Sequence, residues 1–136
     1  MTMITESIYL NTAKKCELIN ITPQIRDIID KNNIECGLVN VSTKHTTSGI
    51  LINEDESGLK EDIVNTLQEI IPYKNYLHDR IDNNARSHLM ATITTPTQTL
   101  PIIDGRLSLG TWQSIFFLEL DGPRLNREVI ISIIEQ

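Results

Sequence analysis

Residues 99–134 read TLPIIDGRLSLGTWQSIFFLELDGPRLNREVIISII, and this stretch decides the fold. Apolar runs rich in isoleucine alternate here with short polar turns, a pattern typical of β-strands. Asp104-Gly105 and Asp121-Gly122 separate successive runs, and an Asp-Gly pair between apolar runs predicts a hairpin turn. The stretch therefore predicts antiparallel strands over 99–103, 106–109, 112–120 and 128–134.

The rest of the chain adds further strands and two helices. Strands are predicted over 5–10, 34–41 and 48–53. A first helix starts at Thr22-Pro23, with Thr22 capping its free N–H groups, and ends around Asn32-Asn33. A second follows the acidic turn 53–58 and is stopped by Pro72. We therefore predict one compact α+β domain over 1–136, mostly antiparallel β-sheet with two main helices.

Length and charge exclude several function classes. A chain of 136 residues has room for one domain with a real core. Its net charge of -6 argues against a general nucleic-acid binder. It shows neither a leader sequence nor a membrane-length apolar segment, so we expect a cytoplasmic protein without membrane contacts. Cys16 and Cys36 form no CxxC pair, and we interpret them as small buried hydrophobes.

The chain has three histidines, and each stands in a polar cluster. His45 lies in KHTT at 44–47, His78 in YLHD at 76–79, and His88 in NARSH at 84–88. Imidazole titrates near neutral pH and is a common ligand of zinc-like metals. If the three rings converge, they form a metal or acid–base site, although their spacing matches no linear zinc motif. The alternative is that each ring bonds a neighbouring group and has only a structural role.

Other polar residues offer weaker signals. Asp79 could fix the tautomer of an adjacent histidine, or be a solvated loop residue. Glu54 and Asp55 could bind Mg²⁺, although an acidic helix entry explains them as well. In the segment 104–113, Arg106 could bind a phosphate and the sole Trp could face a ring. From spacing alone, a hairpin turn and a packed Trp explain that segment better.

Several motifs together carry a family resemblance. In chain order they are STKHTTSGI at 42–50, NE at 53–54, YLHD at 76–79, NARSHL at 84–89, LPIIDGRLSLGTWQ at 100–113 and DGPR at 121–124. In this order the chain resembles the YjbQ-like family of secondary thiamine-phosphate synthases. The resemblance implies a cytoplasmic α+β homotrimer with a polar pocket and His45, His78 and His88 as its site residues. One departure is Arg80-Ile81, where the family often has an acidic residue and a glycine, and loop shape near the pocket depends on it.

The resemblance also implies an activity. Some members weakly join an aminopyrimidine diphosphate to a thiazole phosphate and release pyrophosphate. For this chain the expected partner is a phosphorylated small molecule, and the expected cofactor a divalent metal, Mg²⁺ or Zn²⁺. We expect metal or phosphate ligation and catalysis from the three histidines with Asp79, and substrate contacts from Lys44, Asn84, Arg106, Trp112 and Gln113. The alternatives are a metal-dependent hydrolase or other phosphate-handling enzyme, and a non-catalytic trimeric metabolite-binding protein.

Overall fold

A computed structural model describes residues 2–136, which form eight strands and three α-helices. A short 3-10 turn, Leu77–Arg80, separates the second helix from the third. The α+β prediction is confirmed. The elements in chain order are β1 (Thr2–Leu10), β2 (Glu17–Asn20), α1 (Thr22–Lys31), β3 (Gly37–Ser42), β4 (Ser48–Glu54), α2 (Ser57–Ile70), α3 (Ala85–Ile93), β5 (Thr97–Ile103), β6 (Arg106–Leu107), β7 (Gln113–Glu119) and β8 (Arg127–Glu135).

The strands form two antiparallel sheets. Five strands pair in the order β1-β8-β3-β5-β6, and three pair in the order β2-β7-β4. The hairpin predicted at Asp104-Gly105 is confirmed, since Ile103 pairs with Arg106 across it. Asp104 and Gly105 both have positive φ, at 52° and 73°, as a tight two-residue hairpin turn requires.

The second predicted hairpin, at Asp121-Gly122, is wrong. β7 pairs with β2 and β4, whereas β8 pairs with β1 and β3, so this turn carries the chain from one sheet to the other. One hydrogen bond to a distant segment and one within the turn hold the chain here in place of hairpin pairing. The Gly122 N–H donates to the carbonyl of Lys15 at 3.0 Å, and the Asp121 N–H donates to the Glu119 carboxylate at 3.1 Å.

The apolar run of β7 is buried on both of its faces. On one face, Ile115 and Phe117 join a core formed by both sheets and α1. On the other face, Leu118 packs with Met90 of α3 and Leu67 of α2. A strand covered on both faces reads as a continuous apolar run rather than an alternating one, which explains residues 115–118.

The helices depart from prediction in two places. α3 was not predicted, because its sequence ARSHLMATI is only weakly amphipathic and offers no clear 3.6-residue period. Thr22 does not cap α1. Instead its hydroxyl oxygen accepts the N–H of Ile115 at 2.8 Å, which ties the helix start to β7. Within residues 2–136, none of the helices combines the length and apolarity needed to cross a membrane.

Candidate functional site

A buried ion pair joins the end of β7 to the start of β8. Glu119 is fully buried and Arg127 is 6% exposed. Arg127 Nη2 donates to Glu119 Oε2 at 2.5 Å and its Nε donates to Oε1 at 2.9 Å. Burial alone would raise the pKa of Glu119, but the bonds from Arg127 and from the Thr12 hydroxyl hold it below its ordinary value. Both partners of this pair are therefore charged.

The same carboxylate shapes the turn that follows β7. Glu119 Oε2 accepts the backbone N–H groups of Leu120 and Asp121 at 3.0 and 3.1 Å. This fixes the direction in which the side chain of Asp121 leaves the backbone. A buried carboxylate thus helps to fix the turn between the sheets.

Asp121 collects three donors from three different segments. Its Oδ2 accepts Asn84 Nδ2 and Arg124 Nη2, both at 2.9 Å, and its Oδ1 accepts the ammonium group of Lys15. Burial alone would raise the pKa of Asp121, but these bonds from Asn84, Lys15 and Arg124 lower it. Asp121 is therefore an ionised carboxylate and links the turn to the region around His78.

Asn84 connects Asp121 to His78. Its Oδ1 lies 2.9 Å from His78 Nε2, while its Nδ2 faces Asp121. Asp79 does not contact His78 in the way predicted for it. Its Oδ1 instead accepts the Ala85 N–H at 2.9 Å, and so caps the first turn of α3. This cap holds Asn84, the residue before the helix, in place beside the histidine.

His78 and His88 form a pair. Their ring centroids lie 4.6 Å apart with the planes at 78°, an edge-to-face contact. A concavity of about 420 Å³ opens beside them, with mainly apolar walls. Its lining residues are Tyr76, Leu77, His78, Ala85, His88 and Leu89. Two imidazoles therefore meet an apolar surface that can accept a flat ring.

His45 lies in a second region, in the loop between β3 and β4. Its Nε2 accepts the backbone N–H of Glu128 at 2.9 Å. Burial and the nearby Arg127 cation lower the pKa of His45. A neutral imidazole that accepts through Nε2 carries its proton on Nδ1, so His45 has no free lone pair to offer a metal.

A three-histidine metal centre is not formed within one chain. No group of three or more histidine, cysteine or acidic side chains in residues 2–136 is arranged to hold a metal ion. This applies equally to Glu54 and Asp55, and Asp55 instead bonds Lys60 and Asn20 at 2.8 Å each. The structure thus brings together two of the three predicted histidines.

The remaining predicted site residues lie apart from the histidine pair. Arg106 lines a groove against α1, together with Arg26 and Asp30. Trp112 is 73% exposed, and so is not the packed residue expected from spacing. Gln113 accepts the Gly110 N–H through Oε1 at 2.8 Å and closes a local turn.

Two further residues lie at the surface. Lys44 is exposed, and its positive charge helps to lower the pKa of Glu128, whose backbone N–H bonds His45. Ile81, in the segment that departs from the family pattern, is 86% exposed, and Arg80 beside it is also exposed. The departure from the family pattern therefore lies on the surface around the 3-10 turn.

The sequence analysis missed the charged residues that support the His78–His88 pair. They are Lys15, Glu119, Asp121 and Arg127. One signal was present: Glu119 interrupts the apolar run 115–120, and a carboxylate in a buried strand requires a counter-ion. The identity of that counter-ion was hidden, since Arg127 follows a turn that resembles a solvated loop.

Comparisons with known proteins give a consistent result. The profile of the family described as UPF0047 protein YjbQ-like matches residues 6–136. A UPF0047 protein of Methanothermobacter thermautotrophicus is 46% identical over 134 residues, covering 98% of this chain and 93% of that protein. The UPF0047 protein YugU of Bacillus subtilis is 32% identical, covering 88% of this chain and 91% of that protein. A solved structure of a YbjQ-like protein of unknown function from Sulfolobus solfataricus has a TM-score of 0.96 at 38% identity, over 99% of both chains.

Proposed function

The chain belongs to the YjbQ-like UPF0047 family, and from this premise we propose that it is an enzyme of the thiamine-phosphate synthase type. The reaction joins an aminopyrimidine diphosphate to a thiazole phosphate and releases pyrophosphate. One observation carries the proposal: the His78–His88 pair, held through Asn84 by Asp121, stands beside an apolar concavity. This combination offers polar groups for the reacting atoms and an apolar wall for a ring.

The chemistry required is neutralisation of charge on the leaving diphosphate. Donors aimed at developing charge usually contribute the largest catalytic term. Lys15 and Arg124 flank Asp121 with about half of each side chain exposed, so cationic surface remains next to the histidine pair. The imidazole N–H groups of His78 and His88 would add further donors, and hydrogen bonds to phosphate are strong.

A metal held by the three histidines does not fit a single chain. His45 uses Nε2 to accept a backbone N–H, and Asp121 is occupied by three N–H donors. The proposed reaction therefore uses no metal held by the three histidines. Mg²⁺ would accompany the diphosphate substrate as its counter-ion.

We also propose the homotrimer and the cytoplasmic setting that the resemblance implied. Several large apolar side chains are exposed, and they support an assembly because association would bury them. Leu77 and Ile81 near the histidine pair are 72% and 86% exposed, and Leu125 near Glu128 is 77% exposed. Cys16 is half-buried and Cys36 is exposed, so the prediction that both are buried is wrong, but their free thiols suit a reducing compartment. Light scattering of the purified chain tests the assembly, and the mass of a monomer contradicts it.

Product formation from the two precursors tests the proposed reaction. Purified protein with both substrates and Mg²⁺ is expected to release pyrophosphate and thiamine phosphate in equal amounts. The double variant His78→Gln/His88→Gln should lose this product. Arg26→Gln, an exposed change in the remote groove beside α1, is the matched control and should retain it. No product from the unmodified protein would overturn the proposal, and diphosphate cleavage without coupling would indicate a hydrolase instead.

A further inference from the structure

We propose that Asp121 is a positioning residue that fixes the tautomer of His78, so that Nδ1 of His78 is the atom available for reaction. The part concerning reaction rests on the proposed function, whereas the tautomer does not. The inference follows from three hydrogen-bonded groups in series: Asp121, Asn84 and His78.

The charge of Asp121 decides which end of the Asn84 amide faces it. An ionised carboxylate accepts hydrogen bonds and donates none. Asp121 keeps its charge because the ammonium of Lys15 and the guanidinium of Arg124 both bond to it. Asn84 must therefore turn its NH₂ group towards Asp121, in agreement with the 2.9 Å contact from Nδ2.

Asn84 in turn decides which nitrogen of His78 carries the hydrogen. With its NH₂ group committed, Asn84 presents Oδ1 to His78 Nε2 at 2.9 Å. An amide oxygen only accepts, so Nε2 must carry the hydrogen. In the neutral ring the lone pair is then on Nδ1, which is free to take a proton or to meet a substrate atom.

Asp121 can fix the orientation of Asn84 because its own position is fixed. Asp121 is 8% exposed, and its backbone N–H is held by the buried Glu119 carboxylate. Solvent therefore has little opportunity to reorient it. If an amide replaced the carboxylate, it could accept or donate, and Asn84 could turn either end towards His78.

Nitrogen NMR of the full-length protein measures the tautomer directly. Long-range ¹H–¹⁵N correlations distinguish the Nε2–H, Nδ1–H and doubly protonated forms of an imidazole, and they are recorded at a pH where the doubly protonated form is not seen. His78 is assigned by its absence from His78→Gln. We expect the Nε2–H form to dominate in the unmodified protein. Asp121→Asn should lower the ratio of Nε2–H to Nδ1–H about tenfold, the factor set by one charge-assisted hydrogen bond.

Two matched variants keep this test decisive. Asp55→Asn makes the same chemical change at a carboxylate bonded to Lys60 and Asn20, and should leave His78 unchanged. Asn84→Leu removes the connecting amide without touching Asp121, and should lower the ratio as Asp121→Asn does. It also serves if Asp121→Asn fails to fold.

The outcomes separate this inference from the proposed function. A dominant Nδ1–H form of His78 in the unmodified protein, or an unchanged ratio in folded Asp121→Asn or Asn84→Leu, overturns the inference. Because no substrate is present in the NMR experiment, a failed product assay leaves this result standing. If product does form, Asp121→Asn should lower kcat about tenfold with little change in KM, and Asp55→Asn should change neither.

Discussion

His45 and His78 each make one hydrogen bond through Nε2, but in opposite directions. His45 accepts the backbone N–H of Glu128, whereas Asn84 presents an oxygen that only accepts to His78. A donor bond survives when the ring gains a proton, and an acceptor bond is lost. The bond that His78 makes to Asn84 is therefore compatible with either protonation state of the ring, whereas the bond of His45 requires a neutral ring. Two histidines of one chain thus differ in whether they can gain a proton without losing a hydrogen bond.

Both regions depend on the same buried ion pair. Arg127 Nη2 donates to the Thr47 hydroxyl at 2.9 Å, which holds the loop that carries His45. Glu119 accepts the backbone N–H of Asp121, which holds the turn that reaches His78. The same ion pair therefore supports both histidine regions.

The largest expected effect comes from breaking that scaffold. Arg127→Met leaves Glu119 buried without its counter-ion, which costs about 3–5 kcal/mol of unfolding free energy. Urea denaturation measures the loss. Adding Glu119→Gln to this variant should recover at least about 1 kcal/mol, because an amide is less costly to bury than a carboxylate. A loss below about 1 kcal/mol in the single variant would show that the pair supports neither region.

Turnover separates the two histidines next. His78→Gln should lower kcat about 100-fold, within the range for loss of a general acid or base. His45→Gln should lower it less than about tenfold, because its side-chain oxygen can still accept the Glu128 N–H. Steady-state rates of the proposed coupling reaction measure both. If His45→Gln is as damaging as His78→Gln, then His45 acts in the site of a neighbouring copy.

The unfolding free energy is expected to depend on pH because His45 is held neutral in the folded protein. Burial and Arg127 lower the folded pKa of His45, so as the pH falls the unfolded chain, with a value of about 6.5, takes up the proton first. The stability from neutral His45 is present above about pH 6.5 and is lost as pH falls through the folded pKa.

His45→Gln provides the matching measurement. The variant should show a flatter unfolding free energy between about pH 5 and 7 than the unmodified protein, because this position no longer titrates. Urea denaturation at stepped pH gives both curves. Parallel curves over this interval would contradict the expectation.

The smallest effect is expected at the edge of the His78 region. Lys15 pairs with Asp121, but its side chain is 56% exposed and Arg124 also bonds the same carboxylate. Lys15→Met should therefore cost less than about 1 kcal/mol of unfolding free energy. The cost should shrink further in high salt, where exposed charges are screened. Thermal unfolding at two salt concentrations checks both statements.

Sequence patterns predicted most elements because their signals are local. Apolar runs and Asp104-Gly105 were sufficient for the long strands and one hairpin. Asp121-Gly122 has the same local chemistry, yet it crosses between sheets. The difference lies in the bond from Gly122 to Lys15, and no local pattern reveals a partner so far away in the chain.

The site was predicted in part for the same reason. His78 and His88 meet because one short loop and one helix turn separate them. The position of His45 depended on how β3 and β4 are placed against β8, which residue types alone do not specify. Asp121 appeared to be an ordinary turn residue, because two of its three donors, Lys15 and Asn84, come from distant parts of the chain.

The place of β8 in the five-stranded sheet has a consequence for biosynthesis. Within residues 2–136, β1 pairs with no strand other than β8, and β8 also separates β1 from β3. During translation, β1 must therefore wait as an unpaired edge until residues 127–135 have left the ribosome. Such long-range closure slows folding and exposes nascent chains to aggregation. Chaperone contact with the first strand is expected to end only when the last strand slides in beside it.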